Sequence, residues 1–180
     1  MNIPFIGKPH VARFYYNYSM HNPVLDQFFR QMAWANNKLF IQLSELPEAA
    51  LSYSGWNPDW TVGKLANHIV FGQGRFIARL QKQPVPTEVE SPFTSAGMKQ
   101  LASTSAANDE KLLALLNTPT EMLTFVRFGE TVQFSSTTVL AQPVHHAIEH
   151  RAQIADILAM NKMDVINLDA LDHWTYERSL

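Results

Sequence analysis

The stretch QPVHHAIEHRAQIADIL, residues 142–158, places three histidines and a glutamate within an apolar, helix-like run. His146 and His150 are four positions apart, so on a helix they lie one turn apart on the same face. Other residues at helical spacing on that face are apolar: Val139, Pro143, Ile154 and Ile157. The pair is therefore predicted on the buried side of a helix, with His145 peripheral, about 100° away.

Four long helical patterns with apolar stripes follow one another along the chain. They are predicted at residues 23–46, 61–84, 95–116 and 139–162. The first is expected to begin at Pro23 and to stop at Pro47. Thr61 is expected to cap the second helix, and Thr137 or Thr138 the fourth.

The period changes between the third and fourth helical patterns. The segment LTFVRFGETVQF has β-branched and aromatic residues on both sides of Gly129-Glu130, which indicates a short hairpin or an extended insert. The last dozen residues could form a short terminal helix. The patterns predict an all-α fold, a four-helix bundle with this insert before the last long helix. We expect one domain over residues 1–180, with residues 1–22 as an N-terminal extension.

The composition argues against several classes of function. The net charge is −2 and no Lys/Arg cluster occurs, so nucleic-acid binding is not expected. The chain has no cysteine, so any metal must be held by His, Asp, Glu or backbone oxygen. No run reaches the roughly 20 apolar residues of a membrane span, and the proline-containing N-terminus does not resemble a signal peptide. A cytoplasmic location is expected.

The second helical pattern carries a further histidine, His68, beside its apolar line. Two helices of a bundle can bring His68, His146 and His150 together. Three neutral imidazoles with an open fourth position are typical of catalytic zinc sites, and imidazole also suits nickel, iron or copper. The alternative is that each imidazole is a hydrogen-bonded core residue without a metal.

Two glycines and a proline interrupt these helices. Gly72 and Gly74 each cost about 1 kcal/mol relative to alanine within a helix. They could leave space near a site, or they could pack against Trp34 or another large aromatic residue. Pro143 removes a helical hydrogen bond and is expected to kink the fourth helix three residues before His146. That bend could aim the histidine pair or only fit the hairpin.

Four segments together resemble the DinB/YfiT-like family of bacterial metal-binding helical bundles. They are WANNKLFIQLSELPEAAL, WTVGKLANHIV with His68, FGETVQF, and HHAIEHRAQIADIL with His146 and His150. The resemblance covers about Leu25 to Leu158, and the last segment is the most specific. Gln142-Pro143 ahead of His146 and the tyrosine-rich N-terminal tail depart from the usual family pattern.

The resemblance implies an up-down-down-up bundle, a homodimer, and one divalent ion held by His68, His146 and His150. Zinc or nickel is expected first, with iron or manganese as alternatives. Members with known activity use low-molecular-weight thiols, as in bacillithiol-dependent S-transfer and mycothiol-dependent isomerisation. The expected partners are therefore a second copy of the chain and a small-molecule substrate, which could be a low-molecular-weight thiol.

The leading hypothesis is a metal-dependent thiol S-transferase or hydrolase, in which a bound ion lowers the pKa of a water or thiol. Glu149 and Gln153 are candidates for supporting the ligands. Glu149 could orient an imidazole or act as a base. It could equally be a solvated carboxylate that pairs with Arg151 or a nearby lysine.

Two other functions compete with this hypothesis. HAIEH matches the H-x-x-E-H pattern of inverzincin metallopeptidases, which would make Glu149 the general base. Those enzymes need a distant acidic ligand, and Glu177 is the only glutamate after His150. The other alternative is a non-catalytic metal-binding or small-molecule-binding module. Its support is the aromatic residues near both termini, which could form an interface or cover the core: Tyr15, Tyr16, Tyr18, His173, Trp174 and Tyr176.

Overall fold

The computed structural model describes residues 22–90 and 92–180, and this part of the chain is mainly helical. In chain order the helices and strands are α1 Pro23–Glu45, α2 Val62–Leu80, α3 Ser95–Leu115, β1 Met122–Arg127, β2 Glu130–Ser135, α4 Ser136–Met160 and α5 His173–Arg178. Short 3₁₀ helices occupy Glu48–Ser52 and Leu168–Leu171. The predicted extension, residues 1–22, lies outside the described residues except for Asn22.

The two strands form the hairpin predicted around Gly129-Glu130. They pair antiparallel, with Arg127 opposite Glu130 and Met122 opposite Ser135. Phe128 and Gly129 make the turn, and both have positive φ, 52° and 83°. Glycine adopts that conformation without a steric penalty, which explains why the hairpin turns here. The fold is therefore helical with a small two-stranded sheet, and not purely α.

Short polar side chains begin the long helices. The Thr61 hydroxyl accepts a hydrogen bond from the Lys64 amide at 3.3 Å, so the predicted cap of α2 is confirmed. The predicted cap of α4 is wrong. Ser135 takes that place and accepts from the Thr138 amide at 3.2 Å, because β2 leads into the helix without a loop.

The second helix is shorter than its sequence pattern. It ends at Leu80 and not at Pro84, since Lys82 adopts a left-handed φ of 56°. The amide of Gln83 then donates back to the Ala78 carbonyl at 2.8 Å, which closes the helix end. The residues that follow, 81–90, are exposed and form part of the connection to α3.

The long helices pack mainly as two pairs, α1 against α3 and α2 against α4, with further contacts between α2 and α3. Completely buried side chains from all four fill the space between them: Leu39, Leu43, Leu65, Ile69, Met98, Ile154 and Leu158. Pro143 is buried within α4, and the helix continues across it without a break. The α2–α4 pair is the one that carries the three histidines.

The C-terminal aromatic residues divide between core and surface. Tyr176 on α5 is buried against Trp34, with 5.6 Å between ring centroids. The Gln31 amide on α1 also donates to the Leu171 carbonyl, so this segment packs on α1. Trp174 is exposed. Tyr15, Tyr16 and Tyr18 lie outside the described residues.

None of the helices in the described ranges is both long enough and apolar enough to cross a lipid bilayer.

Candidate metal centre

The structure brings His68 on α2 together with His146 and His150 on α4. Ring centroids are 4.9 Å apart for His68–His146, 4.8 Å for His68–His150 and 4.3 Å for His146–His150. One nitrogen from each ring lies within 4.8 Å of the others, and the three side chains are half-buried. Small side-chain rotations would therefore let one cation contact all three.

The surroundings keep two of these imidazoles neutral. Burial, together with the positive charges that His150 and Arg75 can carry, lowers the pKa of His68 to about 4, against an opposing effect of Glu149. Burial also lowers the pKa of His146 to about 3, with additional contributions from His150 and His68. A neutral imidazole has a lone pair free for a cation. Protons therefore compete weakly for these two rings near pH 7.

Gly72 makes the space that the His146 ring occupies. A Cβ atom at position 72 would lie 2.5 Å from Cε1 of His146 and 3.0 Å from its Nδ1, closer than real contacts allow. At Gly74 the nearest atom to such a Cβ is Cγ of Pro86, at 3.7 Å, an ordinary contact. Gly72 therefore leaves space beside the histidines, which was one of the two explanations offered for these glycines.

Gln153 holds the ring of His150 in place. Its amide oxygen lies 2.6 Å from Nδ1 of His150. Because that oxygen can only accept, Nδ1 carries the hydrogen and donates it. The Nε2 atom of His150 is then left with its lone pair, as a metal ligand requires.

Glu149 and His145 are both exposed on α4. The suggested pairing of Glu149 with Arg151 is not formed, because Arg151 points into the core and is 4% exposed. Within the described ranges no carboxylate joins the three histidines in a group close enough to share an ion. The acidic ligand that the inverzincin pattern requires is therefore absent from this cluster.

Trp60 covers one side of the histidines. Its ring meets His68 edge-on, with centroids 5.0 Å apart, and lies parallel to His150 at 6.3 Å. An isolated bridge between Ser54 and Thr61 closes the loop that carries it. Trp60 was not among the residues predicted to form the site. The available signal was an aromatic residue directly before the helix cap Thr61.

A buried polar network lies behind the centre. Arg151, next to His150, donates to Asn36 on α1 at 2.6 Å. Gln73, next to Gly72, donates to Asp109 on α3 at 2.6 Å. The network therefore links α4 to α1 and α2 to α3 at the level of the histidines. The sequence reading missed Asn36, Gln73 and Asp109.

Burial also perturbs the charged members of this network. It raises the pKa of Asp109 to about 7, although hydrogen bonds from Ser105, Asn36 and Gln73 and the positive charge of Arg151 oppose it. It lowers the pKa of Arg151 to about 10, which the negative charge of Asp109 partly offsets. Substitution of either side chain would leave its partner buried without the interactions that offset the partner's loss of hydration.

The donor set fits a divalent cation. Three imidazoles converge, two are neutral at physiological pH, and the third has one nitrogen held as a donor and the other left free. No thiolate is available, because the chain lacks cysteine. Ligands of this kind suit zinc, nickel, iron and copper, and they leave the charge of the cation unneutralised.

The fold and site together define a helical protein with a histidine cluster that could bind a metal ion. The model of the DinB family matches residues 20–173, so the chain belongs to the DinB family. The match includes all three histidines. No curated protein matches the chain.

Proposed function

We propose that this DinB-family protein binds one divalent metal ion through His68, His146 and His150 and uses it as a transferase for small thiols or as a hydrolase. The observation that carries the proposal is the convergence of three imidazoles from α2 and α4, with Gly72 leaving room for the ring of His146. Zinc or nickel is the preferred ion, and iron or manganese would also suit the site.

The protein side chains would contribute orientation and shielding. Gln153 holds a proton on Nδ1 of His150 and so presents Nε2. Trp60 excludes water from one side of the rings. When bound, the cation would supply Lewis acidity that lowers the pKa of a coordinated water or thiol. Glu149 is exposed, and its carboxylate could accept a proton only from a substrate that reaches the surface beside the cluster.

The proposal extends to architecture and assembly. We propose that α1 to α4 run up-down-down-up within one domain, and that the protein acts in the cytoplasm as a homodimer. Two adjacent parallel helices need a long connection. The segment between Leu80 and Ser95 has fourteen residues, which can span roughly 46 Å, more than the roughly 29 Å length of α2.

Metal content tests the binding part of the proposal. Protein purified without a histidine tag should carry close to one equivalent of a divalent metal. The His146→Ala/His150→Ala variant should carry close to none. His145→Ala is the matched control, because it removes an exposed imidazole of the same helix. Equal and near-zero metal in all three proteins would end the ligand assignment.

Activity is tested separately. Conjugation of several bacterial thiols to a model electrophile should be detectable, should stop on addition of a chelator, and should return with zinc or nickel. Casein cleavage that a chelator abolishes and Glu149→Gln removes would instead establish the peptidase alternative. Metal binding without turnover of any thiol, ester or peptide would favour the non-catalytic module.

A further inference from the structure

A cavity of about 280 Å³ opens beside His150, on the side of α4 that follows the histidines. Its apolar walls include Trp56, Trp60, Ile157 and Met160, and its polar groups include Asp156. The volume is close to the lower limit of small-molecule sites. The cavity can therefore take a ligand of about a dozen heavy atoms, and not a polypeptide.

The walls of this cavity expose side chains that a purely structural role would bury. Trp56 is 88% exposed and Met160 is 64% exposed. Both lie within a few residues of well-packed segments, and neighbouring Ile157 and Leu65 are buried. Exposed indole and thioether groups grouped around a concavity are characteristic of ligand-binding surfaces. Because core packing does not require this exposure, we take it as evidence for a bound molecule.

The polar side chains of the cavity come mainly from α4. His150, Gln153 and Asp156 all line it. Asp156 follows His150 by six positions on α4, which places its backbone about 9 Å further along the helix axis. Asp156 is exposed, and its carboxylate forms no ion pair within residues 22–90 and 92–180. A carboxylate beside two indole rings is a combination that favours organic cations.

We propose that this cavity binds a small amine with an apolar or aromatic body. The ammonium group would lie against Asp156 and the face of Trp56, and the body would contact Trp60, Ile157 and Met160. The far end of the ligand would then reach His150. Only this last feature rests on the proposed function, because it would bring the ligand to the metal-binding face. Recognition of the ammonium group needs no metal.

Three probes of nearly equal size separate charge from apolar contact. They are 3-phenylpropylamine, 3-phenylpropan-1-ol and 3-phenylpropionate. Binding is followed in metal-free protein by tryptophan fluorescence excited at 295 nm, where the phenyl group does not absorb. The chain has four tryptophans, so the Trp34→Phe/Trp174→Phe background leaves Trp56 and Trp60 as reporters. Ligands of this size bind in the high micromolar to millimolar range, roughly 0.1–10 mM.

The expected order of affinity is amine, then alcohol, then carboxylate. The amine should bind about threefold to tenfold more tightly than the alcohol, because it gains one exposed ion pair and a cation–π contact. Asp156→Asn should reduce that preference, because only the cation–π contact is left, and it should leave alcohol binding unchanged. Asp164→Asn is the matched control, since Asp164 is an exposed acid outside this cavity and should preserve the preference. Trp56→Ala should weaken the amine and the alcohol together.

The proposal is overturned if the amine binds no better than the alcohol, if none of the probes binds, or if Asp156→Asn leaves the preference intact. Zinc affinity is measured on the same variants by chelator competition. Asp156→Asn with normal zinc affinity and a reduced amine preference supports the amine site. If the unsubstituted protein binds no zinc but still prefers the amine, the proposed function is refuted and the amine site is not.

Discussion

Gly72→Ala is the substitution that separates the metal centre from the rest of the fold. The added methyl group would lie 2.5 Å from Cε1 of His146, about 0.9 Å short of the 3.4 Å at which ordinary contact begins. The atoms it meets belong to the end of a side chain and not to the backbone. The imidazole can therefore move aside, and the helix can remain intact.

The two effects of this substitution have opposite signs. Alanine in a helix interior is favoured over glycine by about 1 kcal/mol. A displaced, strained imidazole costs about 0.5–1.5 kcal/mol, so we expect little net change in the free energy of unfolding of the metal-free protein. Metal sites tolerate ligand displacements of only about 0.2 Å. A shift of His146 by several times that distance should weaken zinc binding at least about 10- to 100-fold.

Gly74→Ala provides the matched control two positions along α2. Its new Cβ would meet only Cγ of Pro86, at 3.7 Å. We expect it to gain up to about 1 kcal/mol of stability and to keep its zinc affinity. Zinc affinity is measured by competition with a chromogenic chelator, helix content by circular dichroism, and stability by urea unfolding of the metal-free proteins.

Unchanged zinc affinity in Gly72→Ala would refute the reasoning, because it would show that the position of His146 does not matter for binding. Equal losses in both alanine variants would also refute it, since the effect would then come from α2 as a whole.

Three further predictions concern the surroundings of the site. Gln153→Leu removes the acceptor for Nδ1 of His150, so chelator competition should show zinc affinity reduced about 10- to 100-fold, and an unchanged affinity would argue against this role. In the metal-free protein, His68 and His146 take up protons below about pH 6.5 in the unfolded chain but not in the folded one. The free energy of unfolding should therefore be highest above that pH. It should fall as the pH drops towards the folded pKa values of about 4 and about 3. Urea unfolding should show a steeper fall of the free energy of unfolding with pH than in His68→Asn/His146→Asn. The difference in slope should stay below the two-group limit of about 2.7 kcal/mol per pH unit, because both rings are half-buried. Equal slopes would contradict the low pKa values. Arg151→Met removes a buried guanidinium and its hydrogen bond between α4 and α1, so urea unfolding should show a loss of about 2 kcal/mol, whereas a loss near zero would mean that the network is not stabilising.

Local patterns in the sequence predicted the helices and left the meeting of the histidines as one of two alternatives, which the family resemblance favoured. The i, i+4 spacing of His146 and His150 fixes their common face, and His68 lies on the apolar side of a helix with a recognisable cap. The hairpin was predictable because β-branched and aromatic residues flank a glycine. Each of these signals acts within a few residues of the chain, where helical and strand geometry convert spacing directly into position.

The remaining features depend on contacts between distant segments. Arg151 resembled a surface residue of a charged helix, and only the packing of α1 and α3 against α4 buries it near Asn36 and Asp109. Trp60 was not predicted at the site, because its contact with two histidines depends on how the loop before α2 closes over that helix. The cap of α4 was misplaced because the strand before it runs directly into the helix.

An anomalous-difference map from a crystal of untagged protein, recorded at the absorption edge of the metal it contains, tests the central claim most directly. We predict one peak between α2 and α4, about 2.0–2.2 Å from one nitrogen of each of His68, His146 and His150. A map of the metal-loaded protein with no peak there, or with a peak held by other residues, would contradict it.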